Sequence, residues 1–293
     1  MEYYKNGLKK YIPEIFLPKI KPKIIDDIIG ESDIIGKIVG INLKPINFND
    51  ESQLKEYLNG IVKLKGEDCN RLFIEGYENL SIEAINRIEE YTNMKIPNGE
   101  DTKITNLSLA MREICSLSKE DLEEKEILVI CDDKERTKRI IKEISKDVRF
   151  VTVVGCENYN DEIYEYILEE TGLSLFYPSN IERILENYSI IINLIDDLKL
   201  DLSKIRRNCI VFDFGKGNLF VNKKRVPFIQ DFAFDLNDLG VNKNKFIKDN
   251  VRANLSEALS LKKNIEIKYL YSDKNYYLVK DYVNLFIKLK GKL

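Results

Sequence analysis

The sequence predicts an α/β protein whose second half, from about Glu126 to Gly217, folds as a parallel β-sheet with helices between its strands. Apolar runs of strand length alternate there with charged segments of helical period. The runs are continuously apolar, as expected of strands that are buried on both faces. Because one helical segment separates most consecutive strands, the pattern indicates parallel βαβ units with right-handed crossovers.

The first half predicts a smaller α/β domain. Three prolines in residues 1–36 block a continuous helix, so we expect an arm that packs on the body or on a second subunit. The predicted elements after the arm are a strand at Ile38–Leu43, a helix at 51–65 that stops at Gly66, a strand at Arg71–Tyr77, a helix capped by Ser81, and an apolar helix at Ile104–Leu117. These elements divide the chain into domains at 1–117 and 118–293.

The parallel half contains five predicted strands. They are Glu126–Asp133, Val148–Gly155, Leu173–Pro178, Ser189–Asp196 and Asn208–Gly215. The helix after the first strand has Ile140, Ile141 and Ile144 as its core stripe, and the helix after the second runs from Asp161 to Thr171 and ends at Gly172. Ser179 and Glu182 form a predicted capping box for a third helix. Beyond Gly217 we expect a hairpin at Leu219–Ile229, a helix at Val251–Leu261, a strand at Ile265–Tyr271 and a final helix from Tyr276.

Composition excludes several classes of function. The 46 basic and 49 acidic residues give a net charge of -3, which argues against nucleic acid as a partner. The chain has no histidine, so histidine triads and histidine metal sites are excluded. The five cysteines form no CxxC pair, and we expect no metal. No apolar run approaches a membrane span, so a cytoplasmic protein without a membrane partner is expected.

The turn after the first parallel strand decides the expected ligand. It reads CDDKERT, with no glycine and with Asp132 and Asp133 where a dinucleotide would place its phosphates. Like charges repel by about 1 kcal/mol even in water at ~4 Å. The domain is therefore predicted to be Rossmann-like without a glycine-rich loop, with S-adenosylmethionine, whose sulfonium and ammonium suit acids, as its cofactor. The alternative role for Asp133 is the N-cap of the next helix.

Further candidates follow the other strands, because ligands of open parallel sheets bind beyond the carboxyl ends of the strands. The expected cofactor-binding residues are Asp132, Asp133, Gly155, Cys156, Glu157, Pro178, Asn180, Leu194, Ile195 and Asp196. Glu157 is the candidate for holding ribose hydroxyls. The expected substrate-binding residues are Asn98, Glu100, Thr105, Asp213 and Gly215. The plainer interpretation is a helix cap for Asp133 and Asp196, a buried cysteine for Cys156, and a solvated polar loop for Glu157 and for the segment that contains Asn98, Glu100 and Thr105.

These residues resemble a known family. A small α/β domain before a Rossmann-like domain with the glycine-free turn CDDKERT, together with the segments VVGCEN and VFDFGKG, is similar to the HcgC family of iron-guanylylpyridinol cofactor biosynthesis for [Fe]-hydrogenase. The Lys/Ile/Asn-rich composition suits a methanogenic archaeon. The resemblance implies a dimeric S-adenosylmethionine-dependent methyltransferase that acts on a ring carbon of a pyridinol. Ser179 and Tyr177 are then the positional candidates for holding the pyridinolate oxygen.

Two alternatives remain open at the level of sequence. The segment VFDFGKG is similar to the fifth strand of folate and shikimate dehydrogenases, which favours a divergent NAD(P)-dependent dehydrogenase. The glycine-free turn CDDKERT argues against that assignment. It equally suits a non-catalytic Rossmann scaffold that has kept the fold and lost its site.

Overall fold

The computed structural model describes residues 22–41, 50–131, 133–197, 201–216, 219–220, 226–259 and 266–288. They divide into two compact units. Unit 1 comprises Met1–Asn98, Leu236–Asp249 and Asn254–Leu261, and unit 2 comprises Gly99–Asp235, Asn250–Ala253 and Lys262–Leu293. The domain division at Leu117 stays a prediction, since compactness alone does not show which segments fold independently.

Unit 1 contains a two-stranded antiparallel hairpin and two amphipathic helices. Strands β1 (Lys23–Ile29) and β2 (Ile34–Gly40) pair with each other, and helices α1 (Glu51–Leu64) and α2 (Ile82–Thr92) follow. Asp50 and Ser81 are their N-caps, and each side chain accepts backbone N–H bonds from the first turn. The core between the helices is formed by Leu54, Leu58, Tyr77, Ile88 and Ile96.

Two predictions for this unit are wrong. The segment Arg71–Tyr77 is not a strand: it makes one parallel bridge, from Arg71 to Lys95, and then enters a short 3-10 turn at Tyr77–Asn79. The arm predicted for residues 1–36 is wrong from Lys23 onward, because residues 23–29 and 34–40 form strands; residues 1–21 lie outside the described residues. Strand β2 overlaps the predicted strand at Ile38–Leu43 only in part.

Unit 2 is built on a six-stranded sheet in which all neighbours are parallel. Its strands are β3 (Glu126–Ile130), β4 (Phe150–Val154), β5 (Leu175–Phe176), β6 (Ile190–Asn193), β7 (Ile210–Asp213) and β8 (Phe228–Ile229). Their spatial order is β5-β4-β3-β6-β7-β8. The chain therefore adds strands outward on one side of β3 and then returns to the other side, and the reversal lies between β3 and β6. The predicted Rossmann-like fold is confirmed.

Three helices of unit 2 cover or precede this sheet. They are α3 (Glu100–Ser118), α4 (Lys134–Ile144) and α5 (Asn160–Thr171). The predicted stripe of α4 is confirmed, because Ile140, Ile141 and Ile144 are fully buried. Helix α5 ends as predicted at Gly172, whose N–H bonds the carbonyl of Leu168 and whose left-handed backbone (φ 74°) turns the following chain out of the helix.

The predicted capping box does not form. Residues after Ser179 make two 3-10 turns, Ile181–Arg183 and Leu185–Asn187, and no side-chain bond caps the first of them. Glu182 instead pairs with Lys204, with 2.7 Å between Oε2 and Nζ. The four residues from Ser179 to Glu182 therefore match the sequence pattern of a capping box, but no α-helix follows them.

The region after the fifth strand also departs from expectation. Phe228–Ile229 is the sixth parallel strand and not one arm of a hairpin, since it pairs in parallel with β7. The turn predicted at Asn222–Lys224 lies outside the described residues.

A second, antiparallel sheet of order β10-β9-β11-β12 was not predicted; its strands are β9 (Asp231–Asp235), β10 (Asn250–Arg252), β11 (Tyr269–Ser272) and β12 (Asn275–Leu278). Helices α6 (Ala253–Ala258) and α7 (Val279–Tyr282) are shorter than predicted, and π-type turns extend α7 to Lys288.

Candidate functional site

The ends of β3 and β4 lie side by side at the carboxyl edge of the sheet. Asp133 follows β3 and caps α4, and its carboxylate accepts the Arg136 N–H at 2.6 Å. Gly155 follows β4 with a left-handed backbone (φ 96°), and a Cβ there would overlap the carbonyl oxygen of Cys131. The two turns are therefore packed backbone to backbone, and Gly155 is required by that contact.

Polar and sulfur groups surround this contact. Glu157 is exposed, and its carboxylate accepts the Gly155 N–H at 3.2 Å. Cys131 and Cys156 are buried with their Sγ atoms 3.7 Å apart, and Thr137 Oγ1 contacts both sulfurs. Burial raises the pKa of the Tyr177 hydroxyl, and the neighbouring thiols of Cys156 and Cys131 add to the shift. The hydrogen bond with Cys156 and burial likewise raise the pKa of the Cys131 thiol, so Cys131 and Tyr177 are neutral at ordinary pH.

The ends of β6 and β7 are joined by a buried amide–carboxylate pair. Asn193 is fully buried, and its Nδ2 donates to Asp213 Oδ1 at 2.8 Å and to the Ile195 carbonyl at 3.0 Å. Within the described part of the chain, Asn193 Oδ1 and Asp213 Oδ2 have no hydrogen-bond partner. Burial raises the pKa of Asp213 from 3.8 to about 6, against the opposing effect of the Asn193 bond. The Phe220 backbone N–H also lowers the pKa of Asp213, yet these two buried oxygens have no donor within hydrogen-bond distance in the described chain.

A second backbone contact lies beside that pair. A Cβ on Gly215 would overlap the carbonyl oxygen of Ile195, so the loops after β6 and β7 touch directly. Asp196 accepts a hydrogen bond from the Lys216 N–H. Arg136, in the first turn of α4, donates to the Leu194 carbonyl at 2.8 Å. Arg136 therefore ties the turn after β3 to the end of β6, across the point where the strand order reverses.

Lys103 is a buried lysine at this same edge. It lies on α3, only 9% of its surface is exposed, and its Nζ lies 5.1 Å from the centroid of the Phe214 ring. No hydrogen-bond or ion-pair partner for this ammonium occurs among the residues that the structure describes. Burial lowers its pKa, and Asp231 is the group that opposes the shift most. The neighbouring cations do not share this condition, because Arg252 pairs with Asp231 at 2.9 Å and Arg136 with Glu100 at 3.2 Å.

The other predicted site residues are placed as follows. Asp132 lies outside the described residues. Pro178 is half-buried, whereas Ser179 and Asn180 are exposed in the loop before the 3-10 turns. Asn98 belongs to unit 1, where its carbonyl accepts the Tyr77 hydroxyl at 2.9 Å. Glu100 and Thr105 lie on α3 in unit 2. Their roles in binding stay predictions.

Sequence reasoning missed two residues of this edge, Lys103 and Asn193. Asn193 ends a continuously apolar strand, which is a recognisable signal in an otherwise buried run. Lys103 lies on the same face of α3 as Leu107, Ala110 and Ile114, all of which are buried. A lysine at a core position of an amphipathic helix is rare and marks a buried charge.

Other features of the described chain lie elsewhere. A groove of about 410 Å³ is lined by aromatic, aliphatic and polar residues of β11, β12 and the last helix. Among the described residues, no group of three or more Cys, Asp or Glu side chains has the arrangement of a metal site. Within the same residues, no helix is both long and apolar enough to cross a membrane.

No protein-family model and no curated protein sequence matches the chain. Similar solved structures include quinate dehydrogenase from Corynebacterium glutamicum in complex with NAD, at 11% identity over 38% of this chain and 42% of that chain with a TM-score of 0.33. Shikimate 5-dehydrogenase from Listeria monocytogenes, in complex with shikimate and NAD, has 11% identity over 42% and 51% of the two chains and a TM-score of 0.33. L-tryptophan dehydrogenase from Nostoc punctiforme has 13% identity over 63% and 55% and a TM-score of 0.38. The chain thus matches about half the length of these proteins, and the likeness concerns the fold.

These findings contradict the S-adenosylmethionine-dependent methyltransferase and its cofactor, which we expected from the sequence. The similar structures named above are dehydrogenases, and two of them are complexes with NAD. The sheet order agrees with this correction, because β5-β4-β3-β6-β7-β8 is the strand order of dinucleotide-binding Rossmann domains. The expected homodimer and the family resemblance stay predictions.

Proposed function

We propose that this chain is an oxidoreductase that binds a nicotinamide dinucleotide at the carboxyl ends of β3, β4 and β6. The observation that carries the proposal is the order of the six parallel strands, whose reversal between β3 and β6 creates the crevice in which such sheets bind dinucleotides. This inference from fold to ligand is an analogy, so the residues at the crevice have to be tested against the ligand.

The adenosine end of the dinucleotide fits these residues. A carboxylate just beyond the second strand of such a domain accepts hydrogen bonds from the ribose hydroxyls. Glu157 is exposed beyond β4, and its carboxylate makes one hydrogen bond within the described part of the chain, the weak 3.2 Å bond from the Gly155 N–H. A ribose hydroxyl could replace that bond without uncovering a buried group.

The pyrophosphate end does not fit in its usual position. Phosphates normally bind the free N–H groups at the first helix N-terminus, where the helix dipole favours negative charge. In this chain the Asp133 carboxylate already accepts one of those N–H groups and brings its own negative charge. Binding of the dinucleotide is therefore expected to be weak, or to place the phosphates away from α4, and we derive no chemical step from it.

This misfit favours a second candidate, a non-catalytic Rossmann scaffold. In a scaffold the first helix needs only an ordinary N-cap, which Asp133 provides. The two candidates differ in one measurable property, since only the oxidoreductase binds NADH or NADPH at the strand ends.

Hydrogen exchange measured by mass spectrometry tests the proposal on the whole protein. With saturating NADH or NADPH, we expect slower amide exchange in peptides that cover residues 155–158 and 194–196. Glu157→Gln should weaken the binding of NADH more than the binding of NADPH, because a carboxylate selects a ribose without a 2′-phosphate. Asp201→Asn, which changes a carboxylate that caps the 3-10 turn before β7, is the matched control. Unchanged exchange throughout, with either nucleotide, would favour the scaffold.

A further inference from the structure

The ammonium of Lys103 lies in an environment that does not balance its charge. The side chain crosses the face of Phe214, whose ring in turn packs edge-on against Phe232 with 5.7 Å between centroids. An ion over an aromatic face gains some stabilisation, but far less than it loses when it leaves water without a charged partner. Burial of this side chain therefore disfavours the charged ammonium, and an anion bound beside it would offset that cost.

The acids near Lys103 are committed to other partners or lie beyond ion-pair distance. Asp231 holds Arg252, and it also accepts the Phe232 N–H at 2.8 Å. Glu100 holds Arg136. Asp213 holds the Asn193 amide, and its pKa of about 6 shows that its own charge is poorly stabilised. Each acid attracts Lys103 through space, yet none lies within 4.0 Å of its Nζ among the described pairs.

We propose that Lys103 is the anchor for a carboxylate group of a small-molecule ligand that enters at the carboxyl ends of β6 and β7. The site takes one negative charge. A single unpaired ammonium offers three N–H donors, which is enough for one carboxylate. A dianion such as phosphate would bring excess negative charge next to Asp213, Asp231 and Glu100, and the repulsion would oppose its binding.

This inference deepens the proposed function, because it names the group by which a substrate is recognised. It rests on the proposed function only in treating the ligand as the substrate of an oxidoreductase. Carboxylate binding at Lys103 does not require a nucleotide. The two proposals can therefore fail separately.

Calorimetric titration with oxamate, a small monoanionic carboxylate that is not reduced by NADH, tests the anchor. We expect saturable binding to the wild-type protein and binding at least about tenfold weaker to Lys103→Met, because a charge-assisted hydrogen bond is lost. Lys146→Met removes an exposed cation of the same unit and should leave the affinity for oxamate unchanged. Inorganic phosphate should bind more weakly than oxamate.

Two further measurements separate binding from a structural role. The Lys103 Nζ NMR signal, assigned by its loss in Lys103→Met, should titrate at higher pH when oxamate is present, as linkage requires. Lys103→Met should fold and melt no lower than the wild type, because it removes an uncompensated buried charge. Equal oxamate affinity in wild type and Lys103→Met, or an absence of oxamate binding to the wild type, would overturn the inference. Oxamate binding without NADH binding would overturn the proposed cofactor alone.

Discussion

At the scale of single residues, the unusual feature of this chain is a group of buried polar atoms at one edge of an apolar sheet. Asn193 and Asp213 are at most 1% exposed, and each has an oxygen without a hydrogen-bond partner in the described chain. Buried acceptors of this kind reduce stability, and they persist where a site requires them. Asp213 was predicted as a site residue from its position at a strand end, whereas Lys103 was not, because lysine on a helix is ordinarily a surface residue.

Asp213 should make the protein less stable as the pH rises from about 4 to 6. Burial raises its folded pKa to about 6 from an ordinary 3.8, so the folded state holds its proton more tightly than the unfolded state. The stabilisation is complete below the unfolded pKa and is lost as the pH passes through the folded pKa. The difference amounts to about 3 kcal/mol. Urea unfolding of wild type and Asp213→Asn between pH 4 and 7 measures it.

The comparison of the two proteins isolates this one group, because all other carboxylates are shared. Asp213→Asn keeps the shape of the side chain and cannot ionise. The free energy of unfolding of Asp213→Asn should therefore increase relative to that of the wild type as the pH rises through 6. Parallel stability curves for the two proteins over this range would contradict the assignment.

At the scale of elements, the sequence correctly predicts those helices and strands whose hydrophobic pattern matches the face that they bury in the structure. The strand β3 is a short apolar run, and α4 has an acidic cap, a buried isoleucine stripe and no glycine. The segment after Ser179 has the same capping pattern, but it forms two 3-10 turns and no α-helix. Strand β8 and the antiparallel sheet depend on pairing with distant strands, which no local pattern records.

Gly155→Ala should destabilise the protein far more than Gly172→Ala. Both glycines have a positive φ, which costs an L-residue about 1 kcal/mol. A Cβ at position 172 meets no atom within 4 Å, whereas at position 155 it overlaps the Cys131 carbonyl. We expect a loss of about 1 kcal/mol for Gly172→Ala and of at least about 3 kcal/mol for Gly155→Ala, as measured by urea unfolding. Equal losses would mean that β3 and β4 do not approach each other as described.

Asp133→Ser should strengthen NADH binding. Serine keeps the N-cap of α4 but removes the negative charge that repels a pyrophosphate at that helix end. Relief of roughly 1 kcal/mol corresponds to an affinity about fivefold higher in a fluorescence titration with NADH. Asp50→Ser is the matched control, since Asp50 caps α1 in unit 1. An unchanged affinity in Asp133→Ser would place the phosphates away from α4.

At the scale of the whole molecule, the parallel sheet was predictable and the order of its strands was not. Alternating apolar runs and helices from Glu126 onward required βαβ units, and the observed order β5-β4-β3-β6-β7-β8 is one way of joining them. Residue chemistry at the first turn argues against a dinucleotide, and the strand order is the observation on which the proposed dinucleotide rests. The order follows from which strands pair over long sequence separations, so it could not be read from the segments one at a time.

The most direct test of the proposed function is a calorimetric titration of the wild-type protein with NADH and with NADPH at low ionic strength. We predict saturable binding of one of them, with one site per chain and an affinity weaker than that of a glycine-rich loop because of Asp133. An absence of binding heat from both nucleotides, with a protein that unfolds cooperatively, would contradict the proposal and leave a Rossmann scaffold.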